Sequence, residues 1–433
     1  MKNFCDYNLV VNNDDNFLVY NIFNSKFLKL ENSYFYDMKQ FIESDYKELS
    51  STLKEVLEKE KLLLNSDEID RLKCNFEENK VFNLIILPTE KCNFRCVYCY
   101  ESYEAGTITE ETVDNMINII KQKIDEIKVL SVQWFGGEPL LEIDKIEGIS
   151  DKLITLCNEH NVIYTASMTT NGYFLTLENF KRLKKKRVYS YQITLDGLGK
   201  THNKQRCTVN KQDTFDTIYN NLLSIKNNIK SFTWKIIIRT NLSSEIYENI
   251  DEYIDFLYDN FGEDKRFDFL WRVAGDLGNM TDVTFKEKFI SQEEYLDVLE
   301  KACKKQLLSQ IHLSFFRYKG FECYASNEKS LVIGSKGVVH KCTCDLENDC
   351  NELFNVNQYK GLYYENDKFK IWTKDNEVAS KCKKCSYKVL CNGRSCRLAD
   401  IKTNKPGCPM DIQYLKDIFK SFSQNKKMCS IYR

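Results

Sequence analysis

The segment Cys92-Asn-Phe-Arg-Cys96-Val-Tyr-Cys99 follows directly after a strand-like run, Phe82 to Leu87. Three cysteines with the spacing C-x3-C-x2-C on one short loop are able to hold three irons of a [4Fe–4S] cluster. The fourth iron then keeps an open position, which suits a small chelating ligand. The alternatives are buried free thiols or an incomplete zinc site, but zinc prefers paired C-x2-C knuckles. The loop therefore predicts an iron–sulfur site at the end of a strand.

The bulk composition narrows the class of protein. The chain has 433 residues, 18 cysteines, 62 Lys+Arg, 63 Asp+Glu and a formal net charge of -1. This length is enough for two or three domains, and the charge balance argues against a nucleic-acid surface over the whole protein. Neither a secretory signal nor a bilayer-spanning stretch is apparent. We therefore expect a cytoplasmic protein with no nucleic acid or membrane partner, in which clustered cysteines indicate metal or redox chemistry.

Hydrophobic periodicity indicates three domains. Residues 1–78 carry three short strand-like runs and then helices, the order of a winged-helix module. Residues 81–290 alternate strand and helix six times, which predicts a parallel sheet, either doubly wound or an incomplete barrel, with its chemistry at the carboxyl ends of the strands. Residues 291–433 begin with a bridging helix, become cysteine-rich and finish with a helix near Asp411 to Phe422. The six predicted strands are Phe82 to Leu87, Leu130 to Phe135, Val162 to Met168, Tyr189 to Leu195, Thr233 to Thr240 and Arg266 to Val273.

Further motifs fall at the ends of these strands. Gly136-Gly-Glu-Pro139 follows the second strand, where glycines let the backbone come close and Glu138 supplies a charge opposite an ammonium group. The third, fourth and fifth strands end in Thr169-Thr-Asn-Gly172, Ile193-Thr-Leu-Asp-Gly197 and Arg239-Thr-Asn-Leu242.

The cysteine loop and the order of these motifs resemble the radical S-adenosylmethionine (SAM) superfamily. The resemblance implies a partial (β/α)6 TIM-like barrel, in which SAM chelates the open iron and is cleaved to a 5′-deoxyadenosyl radical. It also implies roles for individual residues: Tyr98 and Leu242 near the adenine, the glycines and Glu138 at the SAM amino group, Thr194 at the ribose, and Arg206 at the carboxylate. For Thr194 and Leu242 the reading as plain strand residues stays open. The cofactor-binding set is Tyr98, Gly136, Gly137, Glu138, Thr170, Asn171, Thr194, Arg206 and Leu242.

The later cysteines resemble the SPASM domain, the cluster-binding extension of radical SAM peptide maturases. Cys323 precedes Gly337 and Cys342, and a second run is Cys382-x2-Cys385-x5-Cys391-x4-Cys396, followed by Cys408. The last step of that run has four residues where the family has three. A zinc ribbon on the four cysteines of the run is the competing structural interpretation.

The resemblance implies two auxiliary [4Fe–4S] clusters, and so three clusters in the chain. Auxiliary cluster I would use Cys323, Cys342 and Cys396, with either Cys344 or a substrate thiolate as its fourth ligand. The predicted ligands of auxiliary cluster II are Cys382, Cys385, Cys391 and Cys408.

SPASM proteins divide mainly into anaerobic sulfatase maturases and maturases of ribosomally made peptides. The winged-helix-like zone resembles an element that binds precursor leaders by adding a strand to a sheet edge. Sulfatase maturases place an Asp after the second cysteine of the array, where this chain has Thr343 and then, two places on, Asp345. We therefore expect a precursor peptide with a leader, a thioether cross-link as the product, and a flavodoxin- or ferredoxin-type reductant. Formylglycine formation, carbon–carbon cross-linking, epimerisation and a non-enzymatic electron carrier are the alternatives.

Overall fold

The computed structural model describes residues 3–4, 7–77, 80–103, 106–275, 283–308, 323–374, 385, 396–403, 412–423 and 429–432. The chain divides into two compact units. The first contains the described parts of 1–79, 292–322 and 376–433, and the second those of 80–291 and 323–375. The two units therefore share the predicted third domain between them, and the boundaries 1–78, 81–290 and 291–433 stay predictions.

The first unit begins with a small antiparallel sheet. Strand β2 pairs with β3 and β3 with β4, joined first by a tight turn in which Asp14 has a φ of 50°. These strands and the helices after them confirm the predicted order of three strands and then helices. The elements are β1 Asn3–Phe4, β2 Asn8–Asn13, β3 Asn16–Asn21, β4 Phe27–Glu31, α1 Ser33–Glu43, α2 Ser51–Lys59, β5 Leu63–Leu64 and α3 Ser66–Glu77.

The second unit contains the strand–helix alternation, and each of the six predicted strands is present. Its strands are β6 Val81–Ile86, β7 Phe94–Cys96, β8 Val129–Trp134, β9 Ile163–Thr170, β10 Val188–Thr194, β11 Arg206–Thr208, β12 Lys235–Leu242 and β13 Phe267–Val273. Its helices are α4 Glu110–Lys121, α5 Ile143–Glu159, α6 Leu177–Lys185, α7 Gly199–Gln205, α8 Phe215–Asn228, α9 Ser244–Tyr247 and α10 Ile250–Leu257, with short turns of 3-10 or π-helix at Ile124–Glu126, Pro139–Glu142 and Tyr258–Gly262.

Six of these strands form a parallel sheet in the order β6, β8, β9, β10, β12, β13. Spatial order follows chain order, because each helix returns the chain to start the next parallel strand. This arrangement is the partial (β/α)6 barrel that the family resemblance implies, one of the two architectures that the periodicity left open. Because all six strands run the same way, their carboxyl ends meet at one edge, and the motifs after those ends are brought together there.

The rest of the described chain adds elements to both units. They are the 3-10 turn Val283–Lys288, α11 Gln292–Lys304, the 3-10 turn Tyr324–Ser326, β14 Ser330–Ile333, β15 Val338–His340, β16 Glu352–Asn355, the 3-10 turn Tyr363–Glu365, α12 Asp367–Thr373, α13 Arg397–Thr403, α14 Ile412–Phe422 and β17 Ser430–Tyr432. In the second unit β14 pairs in parallel with β6, and β15 and β16 continue antiparallel. None of the described helices is long and apolar enough to cross a membrane.

In the first unit, α14 packs against the sheet. The ring of Phe419 lies 5.4 Å from that of Tyr20 and 5.6 Å from that of Phe27, between ring centroids. The predicted last helix is therefore confirmed, but it is followed by a strand, β17, that the sequence pattern does not predict. β17 pairs in parallel with β4, so the sheet has the order β17, β4, β3, β2.

Candidate functional site

A two-stranded ribbon holds the three-cysteine loop. β7 pairs antiparallel with β11, with Cys96 opposite Arg206 and Phe94 opposite Thr208. The amide of Val97 extends this pairing by donating a hydrogen bond of 3.0 Å to the carbonyl oxygen of Gln205. The ribbon therefore places Arg206, which lies far along the chain, directly beside the second cysteine of the loop.

The thiols of Cys92, Cys96 and Cys99 lie close enough to influence one another's charge. Burial and the neighbouring Glu138 raise the pKa of Cys92 to about 12. Burial raises the pKa of Cys96 to about 12, against the opposing charge of Arg206, and burial also raises the pKa of Cys99. Since a cysteine binds a metal as its thiolate, a cationic metal centre is what would deprotonate these three thiols.

The donor set fits an iron–sulfur cluster. Within the ranges that the structure describes, no three His, Cys, Asp or Glu side chains converge as ligands of a single metal ion. The thiolates around a cubane bind different irons and so need not converge on one point. Three sulfur donors on one loop, of which Cys96 is buried and Cys92 and Cys99 are half-buried, therefore suit a cluster and lack the four-ligand geometry of structural zinc.

Gly136 and Gly137 pack against the backbone that leads into the cysteine loop. Gly136 has a φ of 110°, and a Cβ atom there would meet the carbonyl oxygen of Thr89 at 2.4 Å. At Gly137 a Cβ atom would meet the carbonyl oxygen of Lys91, also at 2.4 Å. The end of β8 and the start of the cysteine loop can approach this closely only because both residues lack side chains.

Glu138 connects the ends of two strands and is fully buried, at 0% exposure. Its Oε1 accepts hydrogen bonds from Thr170 Oγ1 at 2.6 Å and from the Leu140 amide at 3.0 Å, while Oε2 accepts from the Asn171 amide at 2.7 Å. Asn171 in turn donates from Nδ2 to Oδ1 of Asn93, inside the cysteine loop, at 2.8 Å. Burial raises the pKa of Glu138 against these hydrogen bonds, so a nearby cation would favour its charged form.

The hydroxyl group of Tyr98 joins side chains from three other elements. It donates a hydrogen bond to Oδ2 of Asp196, and it accepts from Nη1 of Arg206 at 2.6 Å and from Nδ2 of Asn241 at 3.1 Å. Oδ1 of Asp196 accepts from the Asn241 amide at 2.7 Å. The structure therefore brings Tyr98 and Arg206 together and adds Asp196 and Asn241, to which the sequence analysis gave no role.

Arg206 has an unsatisfied donor at this site. The residue is 5% exposed, its Nη1 lies 3.9 Å from Oδ2 of Asp196, and among the described residues its Nε has no hydrogen-bond partner. A buried donor without a partner costs about 1–3 kcal/mol, and it would be satisfied by an anionic ligand such as a carboxylate. This observation fits the ligand that the resemblance assigns to Arg206.

His202 holds the backbone of Asp196, just after the end of β10. Its Nδ1 accepts a hydrogen bond of 3.0 Å from the amide of Asp196. Burial, followed by the charge of Arg206, lowers the pKa of His202 well below its ordinary value, so the ring is neutral at physiological pH. A neutral acceptor that fixes the backbone of Asp196 is a structural role.

Thr194 and Leu242 lie at the carboxyl ends of neighbouring strands. Thr194 is opposite Arg239 in the β10–β12 pairing, and its side chain is buried. The fully buried Leu242 accepts a backbone hydrogen bond of 2.9 Å from the amide of Ala274. Both lie at the predicted edge, and their contacts with a nucleoside stay predictions.

A second cysteine group lies in the same unit. The amide of Cys344 donates to Sγ of Cys342 at 3.4 Å, and the Tyr324 hydroxyl donates to the same sulfur at 3.9 Å. The thiols of Cys342 and Cys323 both act on the Tyr324 hydroxyl, whose pKa is raised chiefly by burial. The structure thus groups the predicted ligands Cys323 and Cys342 with Cys344.

Of the remaining predicted ligands only two are described. Cys385 is half-buried and Cys396 is exposed. Cys382, Cys391 and Cys408 lie outside the described residues. The composition of auxiliary cluster II, and the part of Cys396 in auxiliary cluster I, therefore stay predictions.

Asn351 organises the loop that carries Cys342 and Cys344. It is 0% exposed, and its Oδ1 accepts from the amides of Lys341 at 3.2 Å and Cys342 at 3.0 Å. Its Nδ2 donates to the carbonyl oxygen of Cys342 at 2.9 Å and to that of Asp345 at 3.2 Å. The one buried amide side chain of Asn351 thus fixes the backbone of the loop from Lys341 to Asp345.

Tyr100 lies near both cysteine groups. Its pKa is raised first by burial and then by Glu101, and the thiols of Cys344 and Cys99 both act on it. Beside it, burial raises the pKa of Glu101 to about 7, with smaller contributions from Glu90 and Glu347. These carboxylates line a cavity of about 20 Å³, which is room for one water molecule. The only feature of the sequence that points to this contact between the two cysteine groups is a tyrosine directly after the third cysteine.

Comparison with known proteins identifies the domain. Residues 86–257 match the radical SAM superfamily. The chain carries a radical SAM domain. The protein is an enzyme, and its radical SAM domain coincides with the parallel sheet from the end of β6 to α10.

Individual relatives cover different parts of the chain. The radical SAM cyclopropyl synthase TigE of Paramaledivibacter caminithermalis is 27% identical over 225 residues, so the chain spans about half that protein, 46% of its length. A cysteine-type anaerobic sulfatase-maturating enzyme of Clostridium novyi is 24% identical over 79% of this chain and 94% of its own. The crystal structure of Streptococcus suis SuiB bound to precursor peptide SuiA is 16% identical, with a TM-score of 0.54 over 95% of this chain and 99% of that one. This last likeness shows a shared fold.

Proposed function

We propose that the chain is a radical SAM maturase that installs an oxidative modification, a thioether cross-link, in a ribosomally made precursor peptide. The observation that carries the proposal is the presence of two cysteine groups in one unit, one on the cysteine loop of the radical SAM domain and one at Cys323, Cys342 and Cys344. A second redox centre near the first suits an oxidative reaction, because an electron must leave the product radical.

The chain's own residues have distinct tasks in this reaction. When bound, a [4Fe–4S] cluster and SAM supply a 5′-deoxyadenosyl radical for hydrogen abstraction. Cys92, Cys96 and Cys99 would hold the cluster. Arg206, oriented through Tyr98, would bind the SAM carboxylate with its free Nε, and the buried carboxylate of Glu138 would face the amino group.

The partners follow from the same proposal. The antiparallel sheet of the first unit would bind the leader of the precursor by strand addition. SuiB, which shares the fold, was crystallised with its precursor peptide SuiA. The enzyme would carry three [4Fe–4S] clusters, accept electrons from a flavodoxin- or ferredoxin-type reductant, and act in the cytoplasm.

The test is anaerobic reconstitution with iron and sulfide, followed by incubation with SAM, dithionite and, as candidate precursors, synthetic copies of any short cysteine-containing peptides encoded in the genes that flank this one. We expect 5′-deoxyadenosine and loss of a pair of hydrogen atoms from the peptide, located by tandem mass spectrometry at a cysteine and its cross-linked partner. A triple variant with Ala at positions 92, 96 and 99 is the control and should form neither product. Formation of 5′-deoxyadenosine with an unchanged peptide would contradict the assigned substrate.

Sulfatase maturation is the second candidate, favoured by the likeness to the Clostridium novyi enzyme over 79% of the chain. The position after Cys342 argues against it. Thr343 there is held by Tyr324, whose hydroxyl accepts from the Thr343 amide at 2.8 Å and lies 2.9 Å from its Oγ1. A synthetic sulfatase peptide with a central cysteine, offered under the same conditions, decides between the two. Formylglycine in that peptide would replace the cross-linking proposal.

A further inference from the structure

The small sheet of the first unit has one of its edges covered by the chain itself. β17 pairs in parallel with β4, with Ser430 opposite Leu28 and Tyr432 opposite Leu30. β2 forms the opposite edge of this sheet. Strand addition needs an unpaired row of backbone amides and carbonyls, and along β4 that row is already taken.

The side chain of Tyr432 lies in a slot beside this edge that is formed by Tyr34, Lys59 and Glu60. Its hydroxyl donates a hydrogen bond of 2.6 Å to Oε1 of Glu60, which is itself buried. The ring meets that of Tyr34 edge-on, with 6.0 Å between centroids, and lies 5.7 Å from Nζ of Lys59. The slot opens onto the core formed by β4, α1 and α2, to which Tyr432 also contributes. An aromatic side chain with a hydroxyl group is therefore recognised here by packing, charge and hydrogen bonding together.

The pairing itself is weak enough to be exchanged. β17 has three residues, and parallel pairing is slightly less stable per residue than antiparallel pairing. Ser430 and Ile431 are exposed, so Tyr432 supplies most of the side-chain contact within the strand, while Cys429, just before it, is buried. A longer peptide strand would form more hydrogen bonds along β4 and fill the same slot.

We propose that β17 is an intramolecular mimic of the precursor peptide. It occupies the edge of β4 and must leave before a precursor strand is bound there. The inference rests on the proposed function in one respect, that the partner is a precursor peptide. The partner is then an extended segment with an aromatic residue, preferably tyrosine, that takes the place of Tyr432. Because the competing strand is tethered, its effective concentration is high, and only a partner that binds better than three residues displaces it.

The experiment uses a fluorescent synthetic peptide with the sequence of residues 424–433, kept reduced, and fluorescence anisotropy. A variant lacking residues 429–433 should bind it at least about tenfold more tightly than the full chain. The apparent affinity of the full chain equals the intrinsic affinity multiplied by the fraction of molecules in which the edge of β4 is free. Full-length Tyr432→Ala, which vacates the slot without shortening the chain, should show the same direction of change. Tyr432→Phe keeps the ring and loses only the bond to Glu60, so it should lie between Tyr432→Ala and wild type.

Competition identifies the natural occupant. The candidate precursor, a short peptide encoded in a flanking gene and used unlabelled, should displace the labelled peptide from the shortened variant. Changing an aromatic residue of that precursor to alanine should lower its affinity. Equal binding of the labelled peptide by the full chain and the shortened variant, with both showing the same thermal unfolding, would overturn the proposal. Displacement without modification of the precursor would instead overturn the proposed reaction, while the proposed role of β17 would still hold. Binding by the shortened variant without displacement would show that β17 covers the edge but that the precursor docks elsewhere, and this also overturns the proposal.

Discussion

Nη1 of Arg206 donates a hydrogen bond of 2.6 Å to the hydroxyl oxygen of Tyr98. The two residues meet because β11 pairs with β7, so the cysteine loop and the arginine are parts of one ribbon. The same hydroxyl donates to Asp196 at the end of β10. The position of the arginine is therefore set by the cysteine loop, and a change at either one is felt at the other.

Tyr98→Phe tests this coupling, because it keeps the ring and removes only the hydroxyl. Asp196 Oδ2 and Arg206 Nη1 would each lose a buried partner, and we expect unfolding free energy to fall by about 1–3 kcal/mol. Urea unfolding of the metal-free protein measures this change. Tyr189→Phe, at a tyrosine that is 37% exposed, is the matched control and should be neutral. Equal stabilities for both variants would mean that the network contributes nothing.

Replacing any one cysteine of the loop tests the cluster assignment directly. Cys96→Ala should reduce the iron content of the reconstituted protein by about four atoms per chain, with an equal loss of sulfide. Cys157→Ala, at a buried thiol within α5, should leave both unchanged. Colorimetric iron and sulfide analysis gives the result. Zinc in place of iron in the wild-type protein would contradict the assignment.

The sequence predicted the architecture well because its signals are local. Each strand of the parallel sheet is a short run rich in β-branched and aromatic residues, and amphipathic helices lie between these runs. The C-x3-C-x2-C spacing lies within eight residues. The motif at Gly136 also lies at a strand end, so parallel pairing alone brings it to the cysteine loop.

Contacts that depend on register and on distant packing were missed. Asn351 has no distinguishing neighbours in sequence. Its role appears only in the structure, where its side-chain amide forms hydrogen bonds with the backbone of Cys342. Asn241 meets Tyr98 only through the alignment of β10 with β12. β17 is too short for a periodic pattern and exists because β4 offers it an edge.

Asn351→Ala tests the second cysteine group without touching a sulfur atom. Removing the amide leaves the loop around Cys342 without its internal support, and buried backbone groups without partners. We expect the iron content to fall by about four atoms per chain, which is the content of the one [4Fe–4S] cluster proposed at Cys323 and Cys342. The SAM-induced change in the EPR signal of the first cluster should persist. Asn228→Ala, at an exposed asparagine of α8, is the control. Full iron content in Asn351→Ala would show that the loop needs no such support.

His202 makes stability depend on pH. Its pKa is well below normal in the folded state because of burial and Arg206, so below about pH 6.5 the unfolded chain gains a proton that the folded chain refuses. Stability is therefore present above that pH and is lost as the pH falls, by up to about 1.4 kcal/mol per unit for each such histidine. His340, whose pKa is lowered to about 4 by burial, acts in the same direction.

His202→Asn separates the two histidines, because the asparagine oxygen is placed to accept the Asp196 amide without titrating. The variant should show a shallower loss of unfolding free energy between pH 6.5 and 5 than wild type, by up to about 1.4 kcal/mol per unit. Denaturant unfolding of the metal-free protein at several pH values measures the slope. Parallel curves for the two proteins would mean that His202 takes up its proton equally in the folded and unfolded states, so that its pKa is not lowered by folding.

Two glycine-to-alanine substitutions should have opposite effects on stability. At Gly137 the new methyl group would meet the carbonyl oxygens of Lys91 and Glu90 at 2.4 and 2.5 Å, which are backbone atoms that cannot move aside without shifting the cysteine loop. At Gly148, exposed within α5, a Cβ atom meets nothing within 4 Å. Gly148→Ala should therefore stabilise the protein by about 0.5–1 kcal/mol through helix propensity.

Gly137→Ala should lower both the unfolding free energy and the iron bound at the first site. Differential scanning calorimetry and iron analysis on the two variants check this contrast, which depends on close packing of the loop after β8 against the backbone before Cys92. A Gly137→Ala protein with wild-type stability and full iron content would show that the two segments are not in contact.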